Sequence, residues 1–238
     1  MTTSDDYSYR ADRRRFLGGG IAATLGLVTL PALAAAELVP TPRQSTGPFY
    51  PSELPLDHDN DLASVRGRAG IAEGIITHVR GRVLDASGRA LPGMTIEIWQ
   101  CNAFGRYHHP RDRREAPIDE NFQGYGRTLS AGDGGYRFRT IRPVAYPGRT
   151  PHIHFAVSGP GTETLITQMY VAGEPRNDSD WLLNRIRDPR ARASVIVTLR
   201  EGEAAPGELS GEFDLVLGTA QLERGAVPSW LEGLRRSV

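Results

Sequence analysis

The chain has 238 residues, with 28 basic and 28 acidic side chains and a formal net charge of zero. That balance excludes the strongly basic face of a nucleic-acid-binding domain, and a single cysteine, Cys101, excludes an intrachain disulfide. The length suits one sizeable domain or at most two small ones, and 27 glycines, 17 prolines and aliphatics in short runs favour strands and turns over long helices.

The N-terminus reads as a targeting segment. In "DRRRFLGGGIAATLGLVTLPALAAAE" a basic start precedes a weakly apolar Gly/Ala-rich run, and small residues suited to cleavage follow at Ala32-Leu33-Ala34 and Ala34-Ala35-Ala36. Arg13-Arg14-Arg15-Phe16-Leu17 fits the twin-arginine pattern. Residues 1–36 are therefore expected to be a cleaved export signal, with a periplasmic or secreted mature protein. An N-terminal membrane anchor is the rival reading; no other run is long and apolar enough to span a bilayer. Residues 37–74, Pro-rich at their start, read as an extended arm, and residues 75–238 as the main domain.

From Ile75 the pattern becomes that of strands: "IITHVRGRVLD", "MTIEIWQC", "YRFRTI", "HIHFAVSG", "TLITQMYV", "ASVIVTL" and "GEFDLVLG", separated by turn clusters. In "MTIEIWQC", Ile96, Ile98 and Trp99 are grouped against Glu97 and Gln100. A long polar loop, "NAFGRYHHPRDRREAPIDENFQGYGR", interrupts the series, and loops of that length are usually functional or disordered. One segment, Asp178 to Asp188, looks helical, with Asp178 or Ser179 as its cap. The predicted fold class is all-β, an antiparallel β-sandwich with long loops and one short helix.

The chemistry concentrates in "YPGRTPHIHF", Tyr146 to Phe155. On a strand His152 and His154 leave the same face, while Ile153, Phe155 and Val157 point to the other, toward the core. Two adjacent imidazoles are placed to share a metal ion, although a bare H-x-H is more often a pair of ordinary histidines. Tyr107, Tyr146 and Arg149 change that balance. A phenolate is a hard anionic donor that suits a ferric ion better than zinc or cuprous copper. His58 and His78 have no partners in sequence, and Cys101 reads as a packed small hydrophobe.

The stretches "GRVLDASGRALPGMTIEIWQCNAFGRYHHPRD", "DENFQGYGRTLSAGDGGYRFRTIRPVAYPGRTPHIHF" and "LITQMYVAGEP", with "STGPFY" at Ser45–Tyr50, resemble the intradiol ring-cleavage dioxygenases. Within them the likeness is strongest to the iron-bearing β subunits that act on protocatechuate. It covers roughly Thr46 to Leu217. The resemblance implies a β-sandwich holding one non-haem Fe(III) per chain. Tyr107, Tyr146, His152 and His154 would be the metal ligands, and Tyr146 the one that leaves the metal as substrate binds. Arg149 would lie over the substrate ring, and Gln168 would line the pocket behind it. His108 and His109 match no ligand position. The implied partners are a catecholic substrate and O2, with a homo-oligomeric assembly and no nucleic acid.

Two departures qualify the likeness. Five residues separate Tyr146 from His152, where the protocatechuate enzymes carry a longer, tryptophan-containing loop; a more open site and a broader or bulkier catechol are expected. The export signal is unusual for aromatic catabolism and suggests extracytoplasmic phenolics. Two rival functions are a non-catalytic β-sandwich carrier for small aromatics and a zinc or copper enzyme built on H-x-H. Against the second, no carboxylate, cysteine or third histidine stands at a matching spacing.

Overall fold

The computed structural model describes residues 38–55, 57–202 and 204–223. The expected export segment lies outside these residues. Among them, no helix is long and apolar enough to cross a membrane.

Among the described residues ten strands form two five-stranded sheets. The first contains β1 (Ile76–Asp85), β4 (Gly135–Ile141), β8 (Arg200–Glu201), β9 (Leu209–Glu212) and β10 (Leu215–Leu217). The second has the order β3 (Tyr125–Leu129), β2 (Thr95–Trp99), β5 (His152–Ser158), β6 (Leu165–Val171) and β7 (Ile196–Val197). The all-β sandwich is as expected. Its sheets are mixed rather than purely antiparallel, because β1 runs parallel to β9 and β10 and β6 runs parallel to β7. The run "GEFDLVLG" is not one strand. It breaks at Phe213–Asp214, where Asp214 Oδ1 accepts from the Arg82 N–H at 2.8 Å. Gly81 permits this crossing, since a Cβ there would lie 2.0 Å from the Phe213 carbonyl oxygen.

Period-two alternation builds the core. Val79 and Val83 of β1, Phe138 of β4 and Phe213 meet Ile96 and Ile98 of β2 and Ile153, Phe155 and Val157 of β5 in one cluster between the sheets. Phe155 and Phe213 pack edge to face across it, with centroids 5.0 Å apart.

The outer face of the second sheet is buried as well. Every residue of β2, β5 and β6 is buried. The reason is the arm: Thr41 N–H bonds to Val216 O at β10, Gln44 N–H bonds to Ile166 O at β6, and the chain then passes over β5. Trp99 joins the outer face rather than the core face of Ile96 and Ile98, together with Cys101, Tyr107, Tyr125, Ala156 and Ile166. The strand ends at Trp99, and simple alternation from Ile96 puts it beside Glu97.

The helix expected over Asp178 to Asp188 is not present. A 3₁₀ turn at Pro175–Asp178 ends where that stretch begins, a second covers Leu183–Arg185 within it, and a six-residue helix α1 follows at Pro189–Ser194. Asp188 caps α1, accepting from the Arg190 and Ala191 N–H groups, and Pro189 occupies its first turn. A proline biases the residue before it away from helix, so the helix begins at Pro189 instead of reaching it. The short helix α2 covers Thr219–Glu223.

Candidate metal and substrate site

The site grows out of two turns and one strand. Tyr146-Pro147-Gly148-Arg149 is a tight turn closed by the Arg149 N–H to the Tyr146 carbonyl at 2.9 Å. Proline presets the first central position, and Gly148 takes φ +80° at the second, as a type II turn requires. The turn therefore sets Tyr146 and Arg149 side by side, just ahead of β5. The second turn is "NAFGR". Asn102 Oδ1 accepts from the Phe104 and Arg106 N–H groups, both at 3.0 Å, and Gly105 takes φ +76°. Its exit points Tyr107 back over the outer face, where the buried carboxylate of Asp112 accepts the Tyr107 N–H at 2.7 Å.

The four candidate ligands come together. His152 and His154 share a face with ring centroids 4.9 Å apart. The Tyr146 ring lies 5.4 Å from that of His152, and the Tyr107 ring 5.8 Å from Tyr146 and 6.3 Å from His154. Trp99 stacks on His154 at 4.8 Å and 9°, because β2 places it directly opposite in register. On β6 the residue opposite His154 is Gln168.

Hydrogen bonding fixes the tautomer of His152. Its Nδ1 lies 2.6 Å from the Thr150 carbonyl, which can only accept, so the proton sits on Nδ1. Nε2 then carries a lone pair, facing Tyr146 Oη at 3.5 Å and Arg149 Nη1 at 3.3 Å. Burial first and the Arg149 charge second push the His152 pKa down to about 3. Burial, then His152 and Arg149, hold His154 well below the usual histidine value. Both rings are neutral, which is the form that binds a metal.

The phenols tell the complementary story. Burial, reinforced by the neighbouring Tyr146, raises Tyr107 far above the ordinary phenol value. Burial also raises Tyr146, although the Arg149 charge opposes it. Two buried phenols of this kind ionise only against added positive charge. Tyr107 Oη and His154 Nδ1 are both buried without a hydrogen-bond partner, and orphaned buried polar atoms are rare unless a ligand or ion takes them up. Among the described residues no group of three or more His, Cys, Asp or Glu could hold a metal. Two phenolate oxygens with two imidazoles would suit a hard trivalent ion.

Arg149 is held from three sides. Its Nε donates to Asp180 Oδ2 at 2.9 Å, Nη2 to Gln168 Oε1 at 2.6 Å, and Nη1 faces His152. Gln168 Oε1 also accepts from Tyr170 Oη at 3.1 Å, and its Nε2 donates to the Ser45 carbonyl of the arm at 3.1 Å. Gln168 thus links Arg149 to the arm. Gly47 of the arm takes φ +69°, and a Cβ there would stand 3.3 Å from His154 Cε1. Beside Tyr107 a groove of about 310 Å³ is lined by residues including Phe49, Leu54, His108, Gln123 and Tyr125.

Other expected positions resolve simply. Cys101 is buried, with its thiol pushed up to about 11 by burial, and packs with the outer-face cluster. His109 packs edge-on against Phe49 at 5.8 Å. His78 is not without a partner, as its Nε2 lies 2.6 Å from Oε2 of Glu208, just ahead of β9, the neighbour of β1 in the same sheet. His58 Nδ1 meets the Pro55 carbonyl at 2.9 Å.

Several residues of the site escape sequence reasoning. Asp180, fully buried, accepts from Leu182 N–H, Leu183 N–H, Thr150 N–H and Arg149. The local signal was an Asp two residues before the "LLN" turn, a side chain that typically binds backbone N–H groups ahead of it. Glu97 accepts from Tyr125 Oη at 2.5 Å and Tyr50 Oη at 3.1 Å, clamping the arm to the sheet. Asp112 and Arg114, in the long loop, carried no signal.

The site can be set beside known proteins. A family model described as Dioxygenase matches residues 45–219. The chain is 40% identical over 190 residues to the protocatechuate 3,4-dioxygenase beta chain of Burkholderia cepacia, covering 74% of this chain and 78% of that one. It is 32% identical over 191 residues to a catechol 1,2-dioxygenase of Candida albicans, covering 71% and 61% of the two chains. Among solved structures, the dioxygenase domain of a dioxygenase carbohydrate-binding protein fusion from Streptomyces sp. SirexAA-E matches with a TM-score of 0.59 at 31% identity, over 76% of this chain and 99% of that one. A match spanning the arm, both turns and the histidine strand, with 40% identity to a relative covered over most of its length, establishes that this chain belongs to the intradiol ring-cleavage dioxygenases.

Proposed function

We propose that the chain binds one ferric ion through Tyr107, Tyr146, His152 and His154 and cleaves a catechol-type ring between its two hydroxyl-bearing carbons. Both atoms of O2 would enter the product, a cis,cis-muconate. One observation carries the reading. The His152 lone pair, the Tyr146 oxygen and the orphaned Tyr107 oxygen belong to one cluster, and among the described residues no group of three or more His, Cys, Asp or Glu offers another metal site.

When bound, the ion would supply Lewis acidity and a template for the two catechol oxygens. The rest is the work of the chain. Tyr146, half-buried at the start of its turn, would as a phenolate be the base placed to take a catechol proton. Arg149, fixed by Asp180 and Gln168, presents a permanent positive charge where negative charge develops on the substrate. Trp99 and Gly47 confine the His154 ring from two sides. The arm excludes water from the face that carries both histidines. A carrier of aromatics would need none of this donor set, and the family is one of enzymes.

The relatives' names span protocatechuate, catechol and hydroxyquinol. The short Tyr146–His152 loop supports a site that accepts several catechols, including bulky ones. The mature chain is proposed to leave the cytoplasm by the twin-arginine route and to form a homo-oligomer; fractionation with N-terminal sequencing and light scattering test these two points. The first experiment is an absorption spectrum of the purified protein supplied with ferric iron, before and after anaerobic addition of catechol, protocatechuate and hydroxyquinol. A broad visible band that shifts with one of them is expected. A protein that stays colourless with iron would rule out the tyrosinate ligand set.

A further inference from the structure

A second ion pair lies next to the tyrosines. Asp112, with a side chain 1% exposed, receives Arg114 through both carboxylate oxygens. One of those oxygens also accepts the Tyr107 N–H. The Arg114 guanidinium carbon in turn lies 4.6 Å from the centroid of the Tyr146 ring and 5.4 Å from that of Phe49. Phe49 stacks on Tyr107 at 4.7 Å. One ion pair thus touches the backbone of one candidate tyrosine ligand, the ring of the other, and the arm residue that packs on the first. The guanidinium retains a buried Nη1 with no hydrogen-bond partner, a costly arrangement for a residue serving only to brace a loop.

Resting on the ferric reading above, we propose that Arg114 is a positioning residue for both tyrosine ligands: Asp112 anchors Tyr107 while the Arg114 guanidinium holds the Tyr146 ring against its face. A cation over an aromatic face is attracted by the ring's negative quadrupole, more strongly where water is excluded. It also lowers the energy of electrons on that ring. The planar fork matters as much as the charge, because it reaches Asp112 bidentately while its carbon lies over the ring.

The test uses the full chain loaded with ferric iron and compares R114Q, R114K and the double variant D112N/R114Q. The double variant removes the carboxylate that R114Q leaves buried and unpaired. The expected result for R114Q is a visible tyrosinate-to-iron band at longer wavelength and iron retention against a chelator weaker by about tenfold. R114K should return the band toward its original position, and the double variant should regain thermal stability without regaining the band. If R114Q and the double variant keep the original band and iron retention while thermal stability alone falls in R114Q, Arg114 merely braces the loop and the inference is wrong. A wild-type chain that shows no band with iron would overturn the ferric reading itself, and this inference with it. A coloured wild type with an indifferent R114Q overturns only the inference.

Discussion

Asp180→Asn is the sharpest probe of how the site is held. The Asp180 carboxylate is fully buried, and the Arg149 side chain it pairs with is 10% exposed. Asparagine conserves the volume, so no cavity forms. One oxygen can still accept from the Leu182 and Leu183 N–H groups. The other becomes an NH2 facing two donors, Arg149 Nε and Thr150 N–H. Removing one partner of a buried ion pair costs about 3–5 kcal/mol, because the surviving charge stays desolvated and unpaired. For a chain of this size that corresponds to a fall in Tm of roughly 6–20 °C. Urea unfolding should show a lower midpoint with an unchanged slope. The pH dependence gives a second readout. Burial pushes the Asp180 carboxyl up, but the Leu183 and Thr150 N–H groups and Arg149 outweigh it and hold it below the ordinary carboxylate value. Its stabilisation is therefore complete above the unfolded value of about 3.9 and is lost as pH falls through the lower folded value. The wild type should lose stability in that acid window more steeply than D180N. A Tm within about 2 °C of wild type, with the same acid limb, would refute the view that this pair organises the Arg149 turn.

Other perturbations test other joints. Arg149→Lys keeps the charge but cannot reach Asp180, Gln168 and His152 together, so kcat/KM should fall by roughly 100-fold with iron retained, as steady-state kinetics and metal analysis would show. Gly47→Ala forces a side chain into φ +69° and against the His154 ring; a loss of about 1–2 kcal/mol in thermal unfolding is expected, with weaker iron retention. Gly81→Ala drives a Cβ into the Phe213 carbonyl; because backbone must move, a loss of about 3 kcal/mol or more is expected, read as low soluble yield and a lowered Tm. Tyr107→Phe and Tyr146→Phe should each change the visible band of the iron-loaded protein, and a band untouched by both would contradict the ligand set.

What the sequence determined by itself was everything carried by short-range periodicity and turn chemistry. The alternation in "HIHF" already set both histidines on one face and Ile153, Phe155 and Val157 on the other, because a strand repeats every two residues. "YPGR" already implied a turn bringing Tyr146 beside Arg149, since proline and glycine restrict those dihedrals locally. The tertiary structure decided what covers each face and which distant groups pair. Nothing local revealed that the arm closes over the histidine face, so the burial of Glu97 and Trp99 on that face emerged only from packing. Asp180 lies 31 residues from Arg149, and the predicted helix there gives way because its carboxylate is committed to Arg149 and to a different set of backbone N–H groups. Asp112 and Arg114 looked like ordinary charges in a polar loop, and their meeting with both tyrosines depends on two turns and the arm converging in space. Local preferences act through a few bonds and can be read residue by residue, whereas burial and ion pairing depend on which segments meet, and that is a property of the whole chain.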